Sequence, residues 1–341
     1  MSQTDECIRP ENRAHHCITS VREFIIIYGG CETNTGAECN DLCIYNTISG
    51  CCKRYQTPRE IKDTCLSASI CCVGNLVYIF GGDCVDEDIY RQTNSLVSFN
   101  LTDATWNVVY SHNDEYDENT PPPMWGNALF YHNGSLYVLG GFNCRLNLDT
   151  LHKFCIKTST WSMVPQNGLR PIFKHQIFGT VYKNKKISMF DFFTNTWTSR
   201  ATNSKSQHYP DDRIYESFTF SDNVGFMSGG INPNFNVVFS DIWRINLETF
   251  EWFKLEYSLK TGVYCHRMSV IDDYYLNSFG GYRDIYIPNP LECFTIRPKS
   301  LYHLCLESIY KSSNLRHYAD FLPPAMAEEF NLNCIDSYFH H

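Results

Sequence analysis

Apolar residues arrive along this chain in short runs, and each run is cut off by a pair of glycines. Phe24-Ile-Ile-Ile-Tyr28 ends at Gly29-Gly30, Leu76-Val-Tyr-Ile-Phe80 at Gly81-Gly82, and Ser135-Leu-Tyr-Val-Leu139 at Gly140-Gly141. Val224-Gly-Phe-Met-Ser228 and Tyr275-Leu-Asn-Ser-Phe279 end at Gly229-Gly230 and Gly280-Gly281. Runs of about five residues bounded by glycine read as strands. Successive pairs are 52, 59, 89 and 51 residues apart, a spacing that signals an internal repeat. Trp106, Trp161 and Trp252 each follow a polar turn and open a further strand.

The 89-residue interval is the exception. It holds a strand-like stretch from Leu169 to Phe178, then Lys186-Ile-Ser-Met-Phe190, then Asp191-Phe-Phe-Thr-Asn-Thr-Trp197, with no glycine pair. A shortened repeat accounts for it, so six units of about 50 residues fill residues 11–297. Residues 1–10 are a leading segment and residues 298–341 a separate tail.

The recurrent diglycine after an apolar strand, with a tryptophan one strand later, resembles the kelch repeat. That resemblance implies an all-β, six-bladed β-propeller with a degenerate fourth blade, in which each sheet face is covered by its neighbours. Asn133-Gly-Ser-Leu-Tyr-Val-Leu-Gly-Gly141, Asp241-Ile-Trp-Arg-Ile-Asn246 and Val263-Tyr-Cys-His266 are similar to one subgroup of kelch-domain proteins.

In the tail, Leu301, Leu304, Cys305 and Ile309 fall at helical spacing behind Ser300, a cap residue. A second segment carries Leu322 and Pro323 at a helix start, with Met326 and Phe330 four apart. The first segment resembles the BC box that binds elongin C, and the second the cullin-2 box that follows it. The resemblance is to kelch-repeat substrate receptors of cullin-2 ubiquitin ligases, with elongin B/C and cullin-2 as partners. Relatives of the same subgroup are associated with stress-kinase signalling through a phosphatase. An interaction scaffold without ligase assembly is therefore the alternative.

In an up-and-down blade, the segment entering the first strand lies at the same end as the loop after the second. That end is expected to gather Arg13, His15, His16, Trp125, Asn127, Lys174, His175, Arg213, Tyr215, His266 and Arg267, joined by Arg145 and Arg283. A cationic, aromatic mouth suits a carboxylate, which paired arginines hold by charge-assisted bonds. The resemblance implies capture of C-terminal degron peptides there.

Composition adds exclusions. Twenty-eight Lys and Arg against 37 Asp and Glu, net −9, disfavour nucleic acid as a partner. Met1 to Pro10 lacks the apolar core of a secretory signal, and no run is long enough to span a membrane. A cytosolic or nuclear monomer within a complex is expected, with its 17 cysteines reduced. No phosphate-binding loop, zinc-protease motif or nucleophile elbow occurs, so no catalysis is expected. Cys39 and Cys43 lack a second ligand pair, so neither metal nor cofactor is expected.

Overall fold

The computed structural model describes residues 10–48, 50–59, 61, 65–86, 89–144, 146–171, 181–182, 186–283 and 291–311. Strands between Arg13 and Thr295 build an all-β, six-bladed propeller. Blade 1 is Cys17–Val21, Phe24–Tyr28, Asp41–Asn46 and Cys52–Gln56, antiparallel and in chain order from the inside out. Blade 2 (Ser69–Val73, Leu76–Phe80, Leu96–Asn100, Thr105–Tyr110) and blade 3 (Ala128–His132, Ser135–Asn143, Leu146–Cys155, Thr160–Met163) repeat that order. So does blade 5 (Ser217–Ser221, Val224–Ser228, Asp241–Asn246, Glu251–Ser258), while blade 6 shows Arg267–Ile271, Tyr275–Phe279 and Glu292–Thr295.

Blade 4 is the shortened one. Val181–Tyr182 pairs with Lys186–Asp191, and Thr196–Ala201 follows, with no glycine pair at the end of any of the three. On its outer side Asn167–Gly168 adds a short parallel strand against Thr196 and Trp197. Trp197 fixes that strand by donating its indole N–H to the Gln166 side chain at 2.7 Å.

The second strands of blades 1 and 2 are apolar throughout because both of their faces are covered. Successive side chains point to opposite faces. In blade 1, Ile25 and Ile27 pack on Ile271 and Phe279 of blade 6, while Ile26 and Tyr28 pack with Val77 and Ile79 of blade 2. The tryptophans seal the seams. Trp106 meets Tyr28 of the preceding blade, Trp161 meets Phe80, and Trp252 shares a core with Ile187 of blade 4.

No strand is exchanged between blades 6 and 1 among the described residues. The seam is closed by an apolar cluster and by hydrogen bonds. The Gly281 N–H donates to the Arg13 carbonyl at 3.0 Å, as Gly30 does to Cys65, Gly82 to Met124 and Gly230 to Val263 in three other seams. Ser20 Oγ donates to the Val270 carbonyl at 2.6 Å and Ser269 Oγ to Ser20 Oγ at 2.9 Å.

Uniformly reduced thiols are corrected at one place. Cys43 and Cys52 lie on adjacent strands with Cα atoms 6.3 Å apart, within disulfide reach, and are joined. Buried free thiols such as Cys17 are pushed up to about 12 by burial. Among the described residues there is no cluster of three potential metal ligands, and no helix is long and apolar enough to cross a membrane.

Candidate functional site at the propeller mouth and the tail helix

Blades 1, 2, 3, 5 and 6 enter their first strands through a four-residue step whose third residue has left-handed backbone: His15, Ser67, Gly126, Tyr215 and Cys265, with φ of 58°, 51°, 68°, 58° and 57°. Four of the five are not glycine, a conformation that costs about 1–2 kcal/mol per residue. The steps are linked around the rim. Ser67 N–H donates to His15 O at 2.8 Å, Gly126 N–H to Ser67 O at 2.9 Å, and Cys265 N–H to Tyr215 O at 3.0 Å. The second residue of each step bridges the residue just past the glycine pair, as in Trp125 with Phe142, Ile214 with Ile231 and Tyr264 with Tyr282. The two segments expected at one end therefore meet there.

The rim is aromatic. Trp125 stacks on Phe142 at 4.8 Å, Tyr264 lies 5.6 Å from Tyr282, and His15 meets Tyr282 edge-on at 5.8 Å. Tyr215 is 36% exposed, and Phe235 stands 77% exposed on the neighbouring post-glycine loop. Phe142, Tyr264, Tyr282 and Phe235 were not among the expected site residues. The signal for Phe142 and Tyr282 is their place directly after a glycine pair.

The arginines do not form the open cationic mouth expected of them. Arg13 is buried and donates to Asp41 at 2.7 Å and to the Gly29 carbonyl at 3.2 Å. Arg213 repeats that pattern on Asp241 and the Gly229 carbonyl, at 2.6 and 3.0 Å, and lies 3.8 Å over the Phe239 ring. Burial raises the Asp241 carboxyl, but the bond from Arg213 outweighs it and holds the group below its ordinary value. These two arginines brace the turn after the second strand. Arg283 is likewise paired, with Glu292 at 3.2 Å. Arg145, Lys174 and His175 lie outside the described residues.

Arg267, the first residue of its strand, is 7% exposed, and burial lowers its guanidinium only to about 10, so it stays charged at neutral pH. Burial and that charge depress His15 to about 4 and His266 to about 3. At the adjacent seam of blades 1 and 2, burial and the Glu38 charge raise Asp83 to about 7. The mouth is thus aromatic, with Arg267 deep on the side of blades 6 and 1, where it donates to the His266 carbonyl at 3.0 Å, and acidic between blades 1 and 2.

His16 and His266 are fully buried, each against the first glycine of the preceding blade, and none of their ring nitrogens meets a hydrogen-bond partner. Asn127 fills the equivalent place in blade 3, against Gly81. His16, like His266, is held well below its ordinary value by burial and by Arg267. The unfolded chain therefore binds protons that the folded one refuses once pH falls below about 6.5. Folding stability is expected to fall by about 1 kcal/mol per pH unit for His266 between pH 6.5 and 4, with His16 acting in the same direction. Urea unfolding of the His16→Asn, His266→Asn double variant should show a flatter slope across that window. An unchanged slope would place the acid sensitivity elsewhere.

Helix α1 (Leu301–Lys311) follows the last blade and covers four of the five expected elongin-binding residues, with Ser300 one position ahead of it. The Ser300 carbonyl accepts the Leu304 N–H at 3.1 Å, opening the helix. Lys299 anchors it from below, bonded to Glu307 and lying 4.9 Å over the Tyr275 ring of blade 6. Leu301 is 78% exposed, Leu304 45%, and Cys305 is exposed as well, whereas Ile309 is half-buried. Leu322, Pro323, Met326 and Phe330 lie outside the described residues.

Comparison with known proteins agrees with this architecture. The family model described as KLHDC2/KLHL20/DRC7 Kelch-repeats domain matches residues 3–188. Kelch domain-containing protein 10 of Rattus norvegicus is 25% identical over 291 residues, covering 76% of this chain and 69% of that protein. For the Homo sapiens protein of the same name the identity is again 25%, and the chain spans 64% of its length. Kelch domain-containing protein 1 of Homo sapiens is 24% identical over 370 residues, covering 94% of this chain and 89% of that protein. Propellers of this kind serve protein interaction. With over half its length matched and its diglycine strands arranged in one ring of blades, the chain belongs to the KLHDC2/KLHL20/DRC7 kelch-repeat family.

Proposed function

We propose that this protein is the substrate-recognition subunit of a cullin-2–elongin B/C ubiquitin ligase, with α1 docking the adaptor and the mouth gripping substrate. The observation that carries the reading is the outward face of α1. Leu301, Leu304 and Cys305 present apolar surface to solvent on a helix whose foot is tied to blade 6. A helix in water gains by burying such a face, and helix-in-groove docking is a common way to do so. Co-purification tests it. Wild-type chain is expected to capture elongin B/C and cullin-2. The Leu301→Ala, Cys305→Ala variant should lose both while melting at the wild-type temperature, since neither side chain is packed. Equal capture by the two forms would refute the adaptor role of this helix.

The substrate half rests on the mouth. A C-terminal carboxylate entering between the aromatic side chains would meet Arg267, and Trp125, Phe142 and Tyr215 would cover the last side chains of the peptide. Charge-assisted bonds to a partly desolvated carboxylate contribute about 1.5–3 kcal/mol. Amidation of a bound C-terminal peptide is therefore expected to weaken it by roughly tenfold or more, read by fluorescence anisotropy. Equal affinity of acid and amide would reject carboxylate recognition.

A further inference from the structure

At the end of the ring opposite the mouth, blades 1 and 2 frame a cleft of about 590 Å³. Its floor is apolar, made by Phe24, Ile44, Tyr55 and Leu101 from both blades. Arg22 and Lys53 stand at its blade 1 edge. The acid that lines the cleft, Asp103, is occupied within its own turn, accepting from the Thr105 N–H at 3.2 Å and its hydroxyl at 2.6 Å. Arg54, also in the wall, is bonded to Glu11. The cleft is thus an oily bed edged by positive charge on a protein of net charge −9.

Arg22 is out of place by local rules. It takes the left-handed first position of a two-residue hairpin turn, φ 50°, where blades 2, 3 and 5 use Gly74, Asn133 and Asp222. Such turns favour Gly, Asn and Asp because other side chains crowd the backbone there. Departures of this kind collect at functional sites. The strained turn sets the guanidinium at the cleft rim.

We propose that this cleft binds an amphipathic organic anion, its apolar body on the Phe24–Ile44–Tyr55–Leu101 floor and its acidic group at Arg22 and Lys53. The volume suits a small molecule, whose sites run to roughly 300–1,000 Å³ with apolar linings and few polar groups. The lining chemistry favours a carboxylate or sulfonate at one end of an apolar body over a neutral molecule.

The test uses the full chain with 8-anilinonaphthalene-1-sulfonate as fluorescent probe. One saturable site is expected, displaced by dodecanoate and displaced roughly tenfold less well by dodecanol. Arg22→Glu with Lys53→Glu should weaken probe binding by a similar factor, and Thr102→Trp, which fills the cleft, should remove it. Absence of saturable binding by the wild type would overturn the proposal, as would equal displacement by acid and alcohol or unaltered binding by the charge-reversed variant. Displacement by an acidic peptide and not by dodecanoate would also overturn it, assigning the cleft to a protein partner. The wild-type displacement series stands whatever the substitutions do to folding.

Discussion

Trp252→Ala is expected to lower the free energy of unfolding by about 3–5 kcal/mol, a large share of a typical domain's margin. The indole is 1% exposed and sits opposite Ile245, with Phe218 and Trp243 edge-on at 6.3 and 6.4 Å. Its cluster spans two blades, because Ile187 comes from blade 4 and Met227 and Ile245 from blade 5. Removing the ring leaves a cavity in a seam where neither sheet can collapse without breaking its own ladder. The urea midpoint should fall with an unaltered slope. A loss below about 1 kcal/mol would mean that the seam repacks around the gap and is not a rigid core.

Gly280→Val is expected to damage the ring more than the same change at a turn of equal backbone conformation. Gly280 has φ +71°, and a Cβ there would run into the Arg13 carbonyl oxygen and the His16 ring across the seam of blades 6 and 1. Gly134 has φ +75° with nothing within 4 Å of the same position. Valine at Gly134 therefore carries only the left-handed backbone cost, about 1–2 kcal/mol. At Gly280 the collision adds to that cost, on the seam that joins the two ends of the propeller. Thermal melts of the two variants separate these contributions. Equal losses would show that the seam yields freely and that ring closure adds little to stability.

The parts of this fold that were legible in the sequence share a physical cause. A strand covered on both faces favours a continuous apolar run, so Phe24–Tyr28 and Leu76–Phe80 announce themselves. Antiparallel pairing then fixes which loops meet at one end, and the bridges from Trp125 to Phe142 and from Tyr264 to Tyr282 follow from that.

Side-chain partners were less legible, because charge alone does not say whether an arginine faces a ligand or its own blade. Arg13 and Arg213 look like binding residues until their spacing is compared. Each reaches a glycine carbonyl 16 residues on and an aspartate 28 residues on. An identical spacing in two blades marks a scaffold role. The strand Asn167–Gly168 escaped notice because two polar residues carry no periodicity, and its place depends on Gln166 meeting Trp197. The Cys43–Cys52 pairing depends on strand register, which cysteine spacing does not encode.

Docking of elongin B/C on α1 is measured directly by hydrogen–deuterium exchange of the purified chain with and without the adaptor. Amides of residues 301–311 should become strongly protected on addition of the adaptor, while the second strands of the blades should exchange slowly and equally in both samples. Unchanged exchange in α1 at saturating elongin B/C would contradict the receptor reading. So would protection appearing only in the blades.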